Sequence, residues 1–180
     1  MSIDVRPSES LHPLLRARYS PRDFDPAHQL SDAELISLLE AARWAPSAGN
    51  SQPWAFVVGR RGDPNHAIMV RQLKGSTRTW APRASVLIMN LCHLQVEDTD
   101  WDYSEFALYD LGQAVAHMSV QATALGLACH QFRAFDRDGL AAAFEVAPHW
   151  QVTSMTAFGP AVGEPPERDR RPMTSLQWDA

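Results

Sequence analysis

Apolar residues recur along this chain at two spacings that alternate. Between Asp32 and Trp44, Leu35, Leu38, Leu39 and Ala42 return every three or four positions, the period of a helix that buries one face. Ser31-Asp32-Ala33-Glu34 has the form of a capping box, so a helix is predicted over about Ser31 to Trp44. Pro46 ends it by pushing the residue before it out of helical geometry. Trp54 to Val58 is a short apolar run, closed by Gly59 and the polar stretch Arg60 to Pro64, and reads as a buried strand. Asn65 to Leu73 is predicted as a helix and Val86 to Leu91 as a second buried strand. From Ser104, the residues Leu108, Leu111, Val115, Met118, Ala122 and Leu125 step by three and four to Gly126, which stands as a C-terminal cap. This is predicted as the core helix, its start marked by a box-like pair, Asp102 and Glu105. Ala128 to Phe132 is predicted extended, Arg137 to Phe144 a short helix and Val152 to Phe158 the last core strand.

The chain then changes character. Gly159-Pro160, Gly163 and Pro165-Pro166 cannot sustain a helix, and Glu167 to Arg171 is a run of charges. Leu176 and Trp178 lie beyond it, and a large aromatic there points to a tail that docks, the alternative being a frayed terminus. No internal repeat, low-complexity segment or heptad is present. The expected organisation is a single domain over 1–163 and a C-terminal arm over 164–180, packing on the same domain or on a partner subunit.

With 180 residues, 45% of them hydrophobic and 21% charged, the chain has material for one well-buried core and is too short for two ordinary domains. A formal net charge of -5 argues against non-specific nucleic-acid binding, although a local basic patch could still hold a phosphate. No apolar run reaches the roughly 18 residues that span a bilayer, and Met1 to Pro13 lacks a positive segment followed by an apolar one. A soluble, cytoplasmic protein without membrane partners is expected. Cys92 and Cys129 have no Cys-x-x-Cys spacing and are expected as reduced thiols.

Two stretches carry candidate chemistry. Arg18-Tyr19-Ser20-Pro21-Arg22-Asp23-Phe24 sets two guanidiniums around a hydroxyl, with Pro21 restricting the backbone between them, and could grip an anionic group. Ala45-Pro46-Ser47-Ala48-Gly49-Asn50-Ser51-Gln52-Pro53-Trp54 collects amide and hydroxyl groups that suit a flat polar ligand, without an acid, base or nucleophile. Other chemistries lack their signals: there is no Gly-x-Ser-x-Gly elbow, no Gly-x-Gly-x-x-Gly or P-loop, and the seven histidines stand singly. Neither a metal site nor a catalytic nucleophile is predicted.

Taken in order, Arg-x-Ser-x-Arg-x-Phe and Ala-Pro-Ser-x-x-Asn-x-Gln-Pro-Trp resemble the nitroreductase family of FMN-dependent oxidoreductases. The resemblance implies an α+β fold, a small mostly antiparallel sheet flanked by helices, in an interlocked homodimer with two FMN sites between the chains. It implies that Arg18 and Ser20 contact the FMN phosphate or ribityl chain and that Arg22 reaches the pyrimidine edge. Tyr19 stands where relatives often have a second basic residue. Pro46, Ser47 and Ala48 would touch the flavin of the partner subunit, with Asn50 and Gln52 as the matching amides of the loop. Leu125 to Phe132 resembles a stretch beside the reactive N5 edge in one branch of the family, which makes His130 and Gln131 lining candidates, although Arg133-Ala134 replaces the Glu-Gly of many relatives. In the tail, Arg168 and Arg170 match a basic pair that completes the phosphate site, a solvated charge cluster being the alternative. The implied activity is hydride transfer from NADH or NADPH to a small electrophile such as a nitroaromatic, quinone or enone, by ping-pong kinetics. Reductive dehalogenation, flavin reduction, non-catalytic flavin binding and a cofactor-free dimerising module are the rival readings.

Overall fold

The computed structural model describes residues 11–176 and Trp178; most of the Met1 to Pro13 stretch and part of the 164–180 arm lie outside them. In chain order the elements are α1 (Pro13–Ala17), α2 (Asp32–Arg43), β1 (Trp54–Arg60), α3 (Pro64–Arg71), α4 (Thr77–Trp80), β2 (Val86–His93), α5 (Ala107–Ala124), β3 (Ala128–Phe132), α6 (Arg137–Ala143) and β4 (Trp150–Gly159). The four strands form one sheet in the order β1-β2-β4-β3, and every neighbouring pair is antiparallel. This is the expected α+β architecture.

Local chemistry sets several boundaries. At the start of α2 the Ser31 hydroxyl accepts the Glu34 N–H at 3.2 Å while the Glu34 carboxylate accepts the Ser31 N–H at 2.8 Å, so the predicted capping box is formed. Asp63 caps α3 by accepting the His66 N–H at 2.7 Å, with Pro64 at the first helical position, where a missing N–H costs nothing.

The apolar run of β2 has no polar alternation because both faces of the sheet are covered. Val86 and Ile88 face α2 and α5 with Leu38, Leu111, Met118 and Phe158. Leu87 and Met89 face the opposite side, among Phe24, Met69, Trp80, Leu140 and Met155.

The core helix departs from its predicted start. It begins at Ala107, and the Asp102–Glu105 pair caps nothing, because residues 94–103 turn back as a small hairpin in which Gln95 bridges Asp102 and the Tyr103 N–H donates to the Leu94 carbonyl at 2.8 Å. Turn hydrogen bonding prevails there over the box-like spacing. The ends of the predicted stripe, Leu108 and Leu125, are exposed, whereas Asp110 is buried with Ala107, Leu111 and Ala114.

Beyond β4 the chain lies along its own N-terminal segment. Ala161 bridges Phe24, the Asp25 N–H donates to the Pro160 carbonyl at 3.0 Å and the Val162 N–H donates to the Asp23 carbonyl at 3.1 Å. Among the described residues no helix is long and apolar enough to cross a membrane.

Candidate functional site

The Arg18–Phe24 segment leaves the end of α1 and is pinned at several points. Phe24 is fully buried and stacks on Trp80 with ring centroids 6.2 Å apart. The His130 ring lies 4.4 Å from Trp80, and its Nδ1 is 2.7 Å from the Pro21 carbonyl oxygen. A carbonyl only accepts, so Nδ1 carries the proton. Burial, with the Arg22 charge, lowers the His130 pKa against the opposing pull of the Pro21 bond, which keeps the ring neutral near neutral pH. Arg83 adds an ion pair to Asp23 at 3.2 Å.

Against this fixed backbone, Arg18 and Arg22 are uncommitted. Arg18 Nη1 lies 3.4 Å from the Ser20 hydroxyl, and among the described residues neither guanidinium is paired with a carboxylate, unlike those of Arg43, Arg60 and Arg83. Tyr19 is half-buried between them in sequence. Two cations and a hydroxyl on one pinned segment can take an anion without first breaking an ion pair.

The tail reaches the same region. Arg168 donates from Nη1 to the Arg18 carbonyl at 2.6 Å and from Nη2 to the Arg16 carbonyl, whereas the exposed Arg170 donates only to the carbonyl of its neighbour Asp169. Arg168 and the Arg18 segment are therefore brought together, and Arg170 is not bonded to either.

His130 and Gln131 point to opposite faces of β3, as strand periodicity demands. Gln131 donates from Nε2 to the Ser119 hydroxyl of α5 at 3.1 Å. Beside it, burial raises the Cys129 pKa against a bond to Ser119 and the charge of Arg18, so this thiol stays protonated. Burial likewise pushes the Cys92 thiol up to about 11.

The amide loop is built around a turn at Ala48–Asn50, and Gly49 and Asn50 within it and Gln52 just beyond it have positive φ, at 58°, 56° and 48°. Its groups are partly satisfied internally: the Ser47 hydroxyl accepts the Gln52 N–H at 3.0 Å, and the Gln52 side chain donates to the Asn50 carbonyl at 3.3 Å. Two outside residues hold it. The buried Asp110 carboxylate accepts the Ala48 N–H at 2.9 Å, and the Tyr103 hydroxyl donates to the Ser51 carbonyl at 2.9 Å. Sequence reasoning missed both. A carboxylate on the apolar face of α5, one residue before Leu111, was the available signal for Asp110. Pro46, Ala48, Asn50 and Gln52 remain exposed and Ser47 is half-buried.

One chain does not join the two motifs. The amide loop leads into β1 at one edge of the sheet, and the arginine segment lies beside β3 at the other. On α5 the loop is tied to Asp110 and β3 to Ser119, about 13 Å apart along the helix. Between them α1, α2 and α5 expose an apolar groove of about 570 Å³ lined by Leu15, Ala41, Trp44, Ala116, His117 and Val120. Among the described residues no group of three or more His, Cys, Asp or Glu could hold a metal ion.

Against this geometry, residues 15–65 match the model of the Nitroreductase family, a span that contains both motifs. The major NAD(P)H-flavin oxidoreductase of Aliivibrio fischeri is 44% identical over 50 residues, covering 26% of this chain and 23% of that protein. The aligned stretch spans only 22% and 23% of two of the curated relatives that the chain matches. Structural likeness extends much further. A solved oxidoreductase containing FMN superposes with a TM-score of 0.80 at 27% identity over 91% of this chain and 83% of its own. A Desulfovibrio desulfuricans protein solved in complex with FMN gives 0.79 at 26% identity, over 95% and 98%.

Proposed function

We propose that this chain, a member of the nitroreductase family, is an FMN-dependent oxidoreductase that moves hydride from NADH or NADPH to a small electrophile such as a nitroaromatic, quinone or enone. The observation that carries the reading is the pinned Arg18–Arg22 segment, whose two guanidiniums have no carboxylate partner among the described residues. Its donor set fits a flavin mononucleotide: a hydroxyl and a cation for the phosphate end, and a second planar cation for the ring. FMN is present in two solved structures that share this fold at 26% and 27% identity.

When bound, the flavin supplies the hydride chemistry, and the protein supplies placement and electrostatics. Arg18 and Ser20 would hold the phosphate or ribityl chain. Arg22 would sit at the pyrimidine edge, where a cation favours the charge that reduction adds. Because the amide loop lies across α5 from the arginine segment, Pro46, Ser47, Ala48, Asn50 and Gln52 would line the site of a second copy, with the apolar groove around Trp44 and Val120 buried between the two chains. Reductant and electrophile would share one face of the ring in turn, which gives ping-pong kinetics. A cytoplasmic location suits nicotinamide as reductant.

Anaerobic visible spectra of the purified protein, recorded before and after adding NADH and then NADPH, test cofactor and reduction together. A yellow protein that bleaches with either nicotinamide and releases FMN supports the reading. Stoichiometric FAD, or no flavin after reconstitution, refutes it. Sedimentation tests the paired site, since a monomer that keeps FMN at low concentration contradicts it.

A further inference from the structure

We infer that the Nε2 atom of His130 is a ligand of the flavin ring, accepting the N3–H of the pyrimidine edge beside Arg22. The inference rests on the FMN reading above and adds one group to those that would recognise the ring.

A backbone contact fixes the tautomer. His130 Nδ1 lies 2.7 Å from the Pro21 carbonyl oxygen, which only accepts, so the proton is on Nδ1 and Nε2 carries a lone pair. Burial and the charge of Arg22 keep the ring neutral, which leaves that lone pair free to accept. Among the described residues Nε2 has no partner, and it is not sealed from solvent, in contrast to the unpartnered Nε2 atoms of His66 and His93. The ring plane is held as well. His130 stacks on Trp80 with centroids 4.4 Å apart, and Trp80 packs in turn against Phe24 at 6.2 Å and Phe132 at 5.1 Å. An acceptor fixed in this way has little rotamer freedom left to lose when a ligand binds.

The neighbourhood decides which donor this acceptor meets. Pro21 stands between Ser20 and Arg22, and the Arg22 charge is felt at the imidazole. Guanidiniums offer only N–H groups, so Arg18 and Arg22 recognise acceptors and nothing else. The Ser20 hydroxyl already lies 3.4 Å from Arg18 Nη1. The pyrimidine edge of an oxidised flavin, however, presents carbonyl oxygens on either side of one N–H. Arg22 suits an oxygen of that edge and cannot take the N–H, which would lose a hydrogen bond on leaving water. His130 Nε2 supplies the complement, an acceptor beside the cation. Because the imidazole is neutral, it does so without setting a second positive charge against Arg22.

N3-methyl FMN, which lacks this donor, is the probe. Its affinity is compared with that of FMN, by quenching of flavin fluorescence, for the parent, His130→Phe and His130→Asn. Phenylalanine keeps a ring on Trp80 and has neither nitrogen. Asparagine keeps a donor for the Pro21 carbonyl and has no atom at the Nε2 position. A ligand predicts that the parent prefers FMN over the methylated flavin and that this preference falls about threefold to tenfold in both variants, the effect of losing one neutral hydrogen bond. An unchanged preference in both variants overturns the inference. So does a preference that the Asn variant keeps and the Phe variant loses, since His130 would then act only as a prop for Pro21. If the parent binds FMN and its methylated analogue equally, the inference fails and the proposed function stands. If the parent binds neither, both fail.

Discussion

The carboxylate of Asp110 accepts the backbone N–H of Ala48 at 2.9 Å, which ties the first turn of α5 to the loop that precedes β1. Asp110 also accepts from the Gln113 side chain at 3.1 Å and is almost completely buried. Asp110→Ala leaves the Ala48 amide without its partner and is expected to cost about 1.5 to 3 kcal/mol, the range for a hydrogen bond to a charged group. Asp110→Asn, which can still accept from Ala48, should cost less. Urea unfolding of both variants checks the order. Equal loss in the two would show that the carboxylate charge, and not the bond to the loop, is what stabilises.

The elements that the sequence announced are those whose causes are local. The Ser31–Glu34 box sits within one turn of α2, and the apolar run of β2 reports burial on both faces, so each is legible over a few residues. The contacts that shape the candidate site are not local: Ala48 and Asp110 are 62 residues apart, Pro21 and His130 are 109 apart, and Arg18 and Arg168 are 150 apart. Residue pattern gives a periodicity and a chemical type, but it does not give the strand order β1-β2-β4-β3 that decides which segments meet. His130 illustrates the limit. Resemblance marks it only as a lining candidate near the N5 edge, whereas its bond to Pro21 depends on Trp80 fixing the ring from another element.

Two glycines should respond oppositely to alanine. In β1, a Cβ on Gly59 would lie 2.8 Å from the His66 nitrogen and 2.9 Å from its Cα, both backbone atoms of α3. The helix would have to move off the sheet, and Gly59→Ala is expected to destabilise by about 1 to 3 kcal/mol. Gly112 lies within α5 and is exposed, with nothing within 4 Å of an added Cβ. Gly112→Ala should stabilise by about 0.4 to 1 kcal/mol through the helix and unfolded-chain terms. Thermal melting of the two variants beside the parent reads both signs at once.

Acidification should weaken the fold through its buried histidines. Burial is the leading cause of the lowered pKa values of His66, His93 and His130. A histidine whose folded pKa lies below its ordinary 6.5 takes up its proton more readily when unfolded. Its contribution to stability is therefore fully present above about pH 6.5 and is lost as pH falls through that value toward the folded pKa. His130→Asn keeps a donor for the Pro21 carbonyl and cannot titrate. It should lower stability at neutral pH by losing the Trp80 stack, and its stability should fall less steeply between about pH 7 and pH 5. Urea midpoints across that range test the slope, and a slope as steep as the parent's would assign the loss to the other two histidines.

Arg22 offers the sharpest test of how the arginine segment meets a flavin. Its guanidinium is exposed, without an ion-pair partner among the described residues, and lies close enough to His130 to help depress that ring's pKa. If it lies at the pyrimidine edge, its charge stabilises a reduced, anionic ring more than an oxidised, neutral one. Arg22→Gln keeps a hydrogen-bond donor and removes the charge. Losing one charge-assisted bond in the reduced form alone, about 1.5 to 3 kcal/mol, corresponds to a midpoint potential lower by about 30 to 65 mV for a two-electron couple. Potentiometric titration of the flavin-loaded variant against the parent reads this directly, with FMN affinity measured in parallel. A lower potential with affinity nearly intact places Arg22 at the ring. An unchanged potential with weakened binding places it at the phosphate beside Arg18, and unchanged values of both remove it from the flavin altogether.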